Sequence, residues 1–277
     1  MQEAEVRRAT AAARAIASSL GLAAGDDAII LQNSNKLILR LLPCDVLARV
    51  APVTQQVADL EVDLARRLTG SPVAALDPRV EPRAYEHDDY VVTLWTYYEP
   101  VAEEPSPAAY AEALHRLHAG LRVLDVPAQH FTDRAEQARR LLADRELTPE
   151  LPDADRELLI RTLASTTRTI LERGRPDQLL HGEPHPGNVL TTKNGLVFID
   201  FETCCRGPVE FDLAHAPPWT SMGITRGADR EVLRQCRLLV LAMIITWRWD
   251  RDDQLPDGRR LGAEWFDQLR ADLLTES

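Results

Sequence analysis

The stretch His181-Gly182-Glu183-Pro184-His185-Pro186-Gly187-Asn188, followed by Phe198-Ile199-Asp200-Phe201-Glu202, decides how the chain is read. An acid, Glu183, stands five residues before an amide, Asn188, and a second acid, Asp200, follows twelve residues later at the end of an apolar run. Between them Asn188-Val189-Leu190-Thr191-Thr192 reads as a strand. Lys193-Asn194-Gly195 reads as a turn, because Asn-Gly tolerates the positive φ of a tight hairpin, and Leu196-Val197-Phe198-Ile199-Asp200 reads as the returning strand. Such a hairpin folds Asp200 back beside Asn188, so two hard oxygen donors meet from opposite strand ends. Donors of this kind suit Mg²⁺, which keeps several waters and bridges phosphates.

This spacing resembles the kinase catalytic loop H-R-D-x-x-x-x-N and its D-F-G, with Glu183 for the first Asp and Glu202 where the Gly would stand. The order of motifs is more similar still to the aminoglycoside phosphotransferase family, whose fold is like that of choline kinases and protein kinases. That family reads H-G-D-x-x-x-x-N, then I-D-[FW]-[ED], then G-[DP]-x-x-x-D-L-A. The chain has His181-Gly182-Glu183 to Asn188, then Ile199-Asp200-Phe201-Glu202, then Gly207-Pro208-Val209-Glu210-Phe211-Asp212-Leu213-Ala214. The resemblance implies that Glu183 orients an acceptor hydroxyl, that Asn188 and Asp200 ligate magnesium, and that Asp212 braces the catalytic loop by hydrogen bonds.

Glu183 is the main departure. It keeps the carboxylate but adds a methylene, about 1.5 Å of reach, enough to matter for positioning. A loose phosphoryl transition state asks little of a base, so Glu serves if the loop sits back, as the flanking Pro184 and Pro186 would allow. The alternative is a degenerate kinase that binds nucleotide and transfers nothing. A zinc-protease reading of His181 and His185 fails, because Gly182 follows the first His and the two prolines forbid a continuous helix. His181 then reads as a structural hydrogen-bonding residue, and His185 as a loop residue near the substrate.

The first hundred residues mix strands with two helices. Ala28–Gln32, Lys36–Leu42 and Val46–Val50 are short apolar runs joined by Asn33-Ser34-Asn35 and Pro43-Cys44-Asp45, an antiparallel meander. Ser34 lies where a kinase has its glycine-rich loop; it hydrogen-bonds phosphate or simply makes a hairpin turn. Val46-Leu47-Ala48-Arg49 aligns with the kinase strand V-A-I-K, where a cation bonds the α- and β-phosphates and pairs with a helix glutamate. Arg49 is that cation by resemblance, and a planar fork still grips phosphate; an ordinary strand-edge Arg is the other reading. Glu61, on a helix from about Val53 to Leu68, is its candidate partner, with Asp59 and Asp63 competing. Tyr90–Trp95 is a further strand running into the hinge that, by resemblance, binds adenine. Trp95 and Tyr97 wall that pocket or fill the interlobe core.

From Ala108 on the chain reads as mostly helical, with helices at 108–121, 134–143, 155–172, 228–248 and 262–274. The expectation is an α+β, bilobal, protein-kinase-like fold: a small antiparallel-sheet lobe over 1–99 that binds nucleotide, and a larger mainly helical lobe over 100–277 that carries catalysis and substrate, with ATP between them. Glu202, Glu210 and the acidic helices are candidates for attracting an amine-bearing substrate or form a solvated acidic surface, Glu202 and His185 are the candidate substrate-binding residues, and Pro217-Pro218-Trp219 walls the pocket or caps a core.

Composition narrows the rest. A net charge of −11 argues against nucleic acid and for small, cationic ligands. The four cysteines form no C-x-x-C pair, so reduced thiols in a cytoplasmic protein are the simple account. The longest apolar run, Leu238–Trp247, is about half of what a bilayer needs, and the charged, alanine-rich N-terminus reads as an amphipathic helix, not a signal peptide. These readings together predict an ATP- and Mg²⁺-dependent phosphotransferase, monomeric or homodimeric, acting on a hydroxyl of a small molecule such as an aminoglycoside or other antibiotic. GTP as donor is open, and choline, homoserine or a sugar are the alternative acceptors.

Overall fold

The computed structural model describes residues 1–54, 57–102, 105–217 and 227–274. The chain forms two compact units, Met1–Gly120 with Gly187–Thr203, and Leu121–Pro186 with Cys204–Ser277.

The first unit is built on a five-stranded antiparallel sheet in the order β1-β2-β3-β5-β4, with β1 at Ala24–Asn33, β2 at Leu37–Pro43, β3 at Val46–Pro52, β4 at Tyr85–His87 and β5 at Tyr90–Thr96. Strict alternation sets its two faces. Leu37, Leu39 and Leu41 of β2 and Val46, Ala48 and Val50 of β3 are fully buried. They join Ala9, Ala12, Ala13, Ile16 and Ala17 of helix α1, Glu3–Ser19, in one core. The alanine stripe lets α1 lie close to the sheet. The odd one out in β3 is Arg49, which points to the opposite face, in register with Ile38 and Thr93. Helix α2, Ala58–Arg67, buries Glu61, Val62 and Leu64.

Helix α3, Pro107–Arg122, and the hairpin β8–β9 complete this unit; β8 is Val189–Thr192 and β9 is Gly195–Phe198. The hairpin joins residues far away in sequence for a simple reason. Phe198 is fully buried, donates its N–H to the carbonyl of Pro72 at 2.8 Å, accepts from Ala74 N at 3.0 Å, and meets the Tyr110 ring edge-on. The positive φ of the hairpin turn falls on Gly195 (107°), not on Asn194.

The second unit holds α4 (Phe131–Ala143), α5 (Asp153–Glu172), α6 (Val209–His215), α7 (Arg230–Arg248) and α8 (Gly258–Leu274), with a small sheet β6-β10-β7 from Gln129–His130, Cys205–Gly207 and Gln178–Leu180. Its core centres on Leu159, Leu163, Phe211, Leu239 and Met243. Asp229 starts α7 by accepting the N–H groups of Glu231 and Val232. Gly207 leaves room for Phe131, since a Cβ there would meet the ring at 2.9 Å. The apolar run 238–247 lies within α7 with seven of its ten residues buried, and no described helix is long and apolar enough to cross a membrane. All four cysteines are buried and unbridged, and burial pushes the Cys204 thiol up to about 12.

Candidate active site

In the first unit the backbone N–H of Ile199 donates to the carbonyl of Asn188 at 3.0 Å, which closes the hairpin just before Asp200. Asp200 itself sits at φ 70°, a left-handed conformation that Asp tolerates better than most residues and that clusters at functional positions. Its Oδ1 accepts from two cations, Lys36 Nζ at 2.5 Å and Arg49 Nη2 at 3.1 Å. Each cation has a second acid. Arg49 Nη1 donates to Glu61 Oε1 at 2.8 Å, and Lys36 Nζ to Glu202 Oε2 at 3.0 Å. Glu61 Oε1 also accepts the backbone N–H of Phe201 at 3.1 Å, tying α2 to the segment that carries Asp200. The cluster holds three carboxylates against two cations, a net negative charge that favours a further cation. Burial lowers the Arg49 pKa, but Glu61 and Asp200 outweigh it and hold the guanidinium above its ordinary value.

The competitors of Glu61 are accounted for: Asp63 pairs with Arg67 one turn on, and Asp59 is exposed. Trp95 is buried, with its indole N–H on Thr93 Oγ1 at 2.8 Å and the Arg49 guanidinium 5.6 Å from its ring. Tyr97 lies under the Arg40 guanidinium. Ser34 closes the β1–β2 turn through its N–H to Lys36 O at 3.1 Å. Glu202, a substrate candidate from the sequence, pairs with Lys36.

In the second unit Gly182, at φ 92°, turns the chain between His181 and Glu183 in a conformation that favours glycine. Asp212, fully buried on α6, accepts the N–H of His181 at 3.0 Å and of Gly182 at 2.9 Å. Glu183 N faces His181 Nδ1, and His185 N donates to Glu183 O at 2.8 Å. The Glu183 carboxylate is gripped by Arg134 of α4, which also donates to Gly182 O at 3.2 Å and lies 5.2 Å from the Trp247 ring centre. Burial pushes the Glu183 carboxyl up, but the Arg134 charge and hydrogen bond outweigh it and leave the group below its usual range. Nearby His215 is pushed down to about 4 by burial, so it is neutral at pH 7, and its Nε2 has no hydrogen-bond partner among the described residues. Glu210 is not offered to a substrate: it is fully buried and holds Arg175 at 3.2 Å and Asp229 N at 2.8 Å. Pro218 and Trp219 lie outside the described residues.

The phosphotransferase enzyme family (APH) matches residues 28–239. The chain belongs to this family. It is a phosphotransferase. Amicoumacin kinase hAmiN, solved with AMP-PNP, Ca²⁺ and Ami, is similar in structure with a TM-score of 0.71 and 13% identity, over 97% of this chain and 96% of that one. APH(2")-IIia in its GDP and kanamycin complex gives 0.69 at 16%, over 93% and 97%. A choline/ethanolamine kinase family protein from Mesorhizobium loti gives 0.65 at 17%, over 96% and 94%. At these identities the likeness is one of fold, the kinase-like α+β fold that the motifs predicted. No curated protein matches the chain in sequence.

Sequence reasoning passed over Lys36, Arg134 and His215. A signal existed for the first. Of the 32 Lys and Arg residues only Lys36 and Lys193 are lysines, so a lysine opening an apolar strand is conspicuous in this arginine-rich chain. Nothing in the sequence pairs Arg134 with Glu183, which lie 49 residues apart.

Proposed function

We propose that this phosphotransferase moves the γ-phosphoryl group of ATP to a hydroxyl of a small molecule, in a Mg²⁺-dependent reaction. The observation that carries the reading is the Asp200 carboxylate, held at positive φ beside Asn188 in a cluster with one net negative charge. The donor set fits the metal: one carboxylate and one amide leave places for water and phosphate oxygens, as Mg²⁺ prefers. No group of three His, Cys, Asp or Glu forms a closed metal cage among the described residues, and a nucleotide-bridging ion needs none. When bound, Mg²⁺ would screen the phosphate charge.

The residues of residues 1–99 serve the nucleotide: Arg49 braced by Glu61, Ser34 in the β1–β2 turn, and Trp95 and Tyr97 at the hinge strand. Within 100–277, Asn188 and Asp200 would hold the metal, and the loop about Glu183 serves the acceptor. Glu183 is ionised and fixed by Arg134, so it orients the hydroxyl as a hydrogen-bond acceptor more than it abstracts the proton; a loose transition state needs no more. Asp212 and His181 hold its loop, and His185 stands beside it for the substrate. An antibiotic hydroxyl is the first acceptor to test, in line with two structural neighbours, an amicoumacin kinase and an aminoglycoside phosphotransferase solved with kanamycin. The choline/ethanolamine-type neighbour supports a metabolic alcohol as the alternative. Buried, unbridged thiols fit a reducing compartment such as the cytoplasm. A second reading, nucleotide binding without turnover, draws on the Arg134–Glu183 pair, because a carboxylate neutralised by a guanidinium is a poor base.

The test is transfer of labelled γ-phosphate to a panel of aminoglycosides, other antibiotics, choline, homoserine and sugars, with Asp200→Asn beside the wild type. Asn also tolerates positive φ, so folding should persist. The variant should lose Mg²⁺-dependent nucleotide binding in calorimetry and all transfer. Equal Mg²⁺-dependent affinity in both proteins would remove Asp200 from the site.

A further inference from the structure

We propose that Lys36, rather than Arg49, is the cation that grips the phosphates of the nucleotide, while Arg49 stays locked as a brace. The inference rests on the phosphotransfer reading above.

Arg49 is committed on both prongs of its fork. Nη1 is on Glu61 and Nη2 on Asp200; Nε alone has no hydrogen-bond partner among the described residues. Turning the guanidinium toward a ligand would leave Glu61 a buried carboxylate without its charge partner, which is costly. Glu61 also anchors the Phe201 amide, so Arg49 maintains the path of the chain at Asp200. A planar fork fixed at two points is a strut.

Lys36 is placed differently. It follows the Ser34-Asn35 turn and opens β2, and its ammonium is a point charge with three rotatable donors on a flexible stem. The nitrogen bridges Asp200 and Glu202, while its side chain is 6% exposed. If Asp200 turns its carboxylate to a metal ion, both cations lose the same Oδ1 contact. Arg49 keeps Glu61. Lys36 keeps Glu202, and its ammonium can rotate about that contact to present a freed donor, whereas the freed Nη2 of Arg49 cannot move without pulling the planar fork from Glu61. A phosphate oxygen supplies the acceptor. The cluster thus rests with Lys36 on Asp200 and exchanges that contact for phosphate, with Glu202 as the tether. In a chain with thirty arginines, lysine stands at the one position in this cluster that has to swing.

The experiment measures binding of ATP, ADP and adenosine, each with Mg²⁺, by calorimetry for wild type, Lys36→Met and Arg49→Met. A lost charge-assisted contact corresponds to about 10- to 100-fold in affinity. Lys36→Met should lose that much for ATP, less for ADP, and under about 2-fold for adenosine, a phosphate-graded pattern that a merely structural ion pair would not give. Arg49→Met should weaken all three alike. A flat loss or no loss in Lys36→Met, or a graded loss confined to Arg49→Met, overturns the assignment while leaving the phosphotransfer reading intact. Absence of Mg²⁺-dependent ATP binding by the wild type overturns that reading itself. Should Lys36→Met not fold, the wild-type protein still decides. An acyl phosphate of ATP acylates a lysine at the phosphates: the amine attacks the acyl carbon, ATP leaves, and an amide remains. Label on Lys36, blocked by ATP, is expected; label on Lys193 alone, or on no lysine, overturns the proposal.

Discussion

The Asp200 cluster and the Asp212 cluster use the same currency, a carboxylate meeting several donors, to opposite ends. Around Asp200 the pairing is redundant: Lys36 has Glu202 and Arg49 has Glu61 besides the shared Oδ1. Around Asp212 it is not. One fully buried carboxylate accepts the amides of both His181 and Gly182. Redundant contacts can be exchanged for a ligand at little cost, whereas a carboxylate that satisfies two buried amides cannot leave. The first cluster is therefore suited to binding and the second to scaffolding, although both consist of charged side chains at motif positions.

Asp212→Asn is the change that strains this contrast most. It replaces one acceptor oxygen by an NH₂ group facing a buried N–H and removes the charge, a loss of about 3 kcal/mol in unfolding free energy. Asp200→Asn should cost about 1 kcal/mol or less, since every cation it leaves keeps an acid. Denaturant midpoints of the two variants measure the difference; equal losses would break the comparison.

A second expectation concerns acid. His215 has a folded pKa of about 4 against an ordinary 6.5, so the unfolded chain takes up its proton first as pH falls. Folding stability should then decline between pH 6.5 and 4, by at most about 3 kcal/mol. Glu183, with its pKa lowered, contributes stability that persists down to ordinary carboxylate pH and is lost only below it. Across this range the wild type should lose stability more steeply than His215→Gln, which has no ring to protonate. Parallel curves would mean that the ring is not buried neutral.

Much of this was legible beforehand because it is local. The 188–200 hairpin follows from strand periodicity and turn chemistry, while the Arg49–Glu61 partnership and the Asp212 loop contact are what the resemblance to the aminoglycoside phosphotransferase motifs implied. The strand over 90–96 and most helices lie within a few residues of the expected limits. What could not be read is long-range choice among equivalent partners. Glu202 could face a substrate or a lysine, and only the fold puts Lys36 within 3.0 Å of it. Arg134 is one of many arginines on charged helices, and its selection depends on α4 packing beneath the Glu183 loop and on Trp247. Glu210 sits inside a motif yet is buried against Arg175, because the first turn of α6 faces inward.

The effect on rate rather than stability is the sharpest on mechanism. Glu183→Gln keeps size but loses charge, and turnover should fall about 10²-fold, the low end for a positioned base, with nucleotide affinity unchanged. Glu183→Asp keeps the charge and withdraws the carboxylate by about 1.5 Å, which parts it from Arg134. If the longer side chain is fitted to this site, the hydroxyl is held out of line and turnover drops roughly 10-fold, within what a misplacement of this size costs. If instead Arg134 merely neutralises a decayed base, releasing the carboxylate should raise turnover or leave none to measure. Steady-state rates with the best acceptor separate the two, and calorimetry with nucleotide shows that the site still loads. A gain in Glu183→Asp would make Arg134 an inhibitor of its own active site; a tenfold loss would make it the residue that allows Glu to stand where the family has Asp.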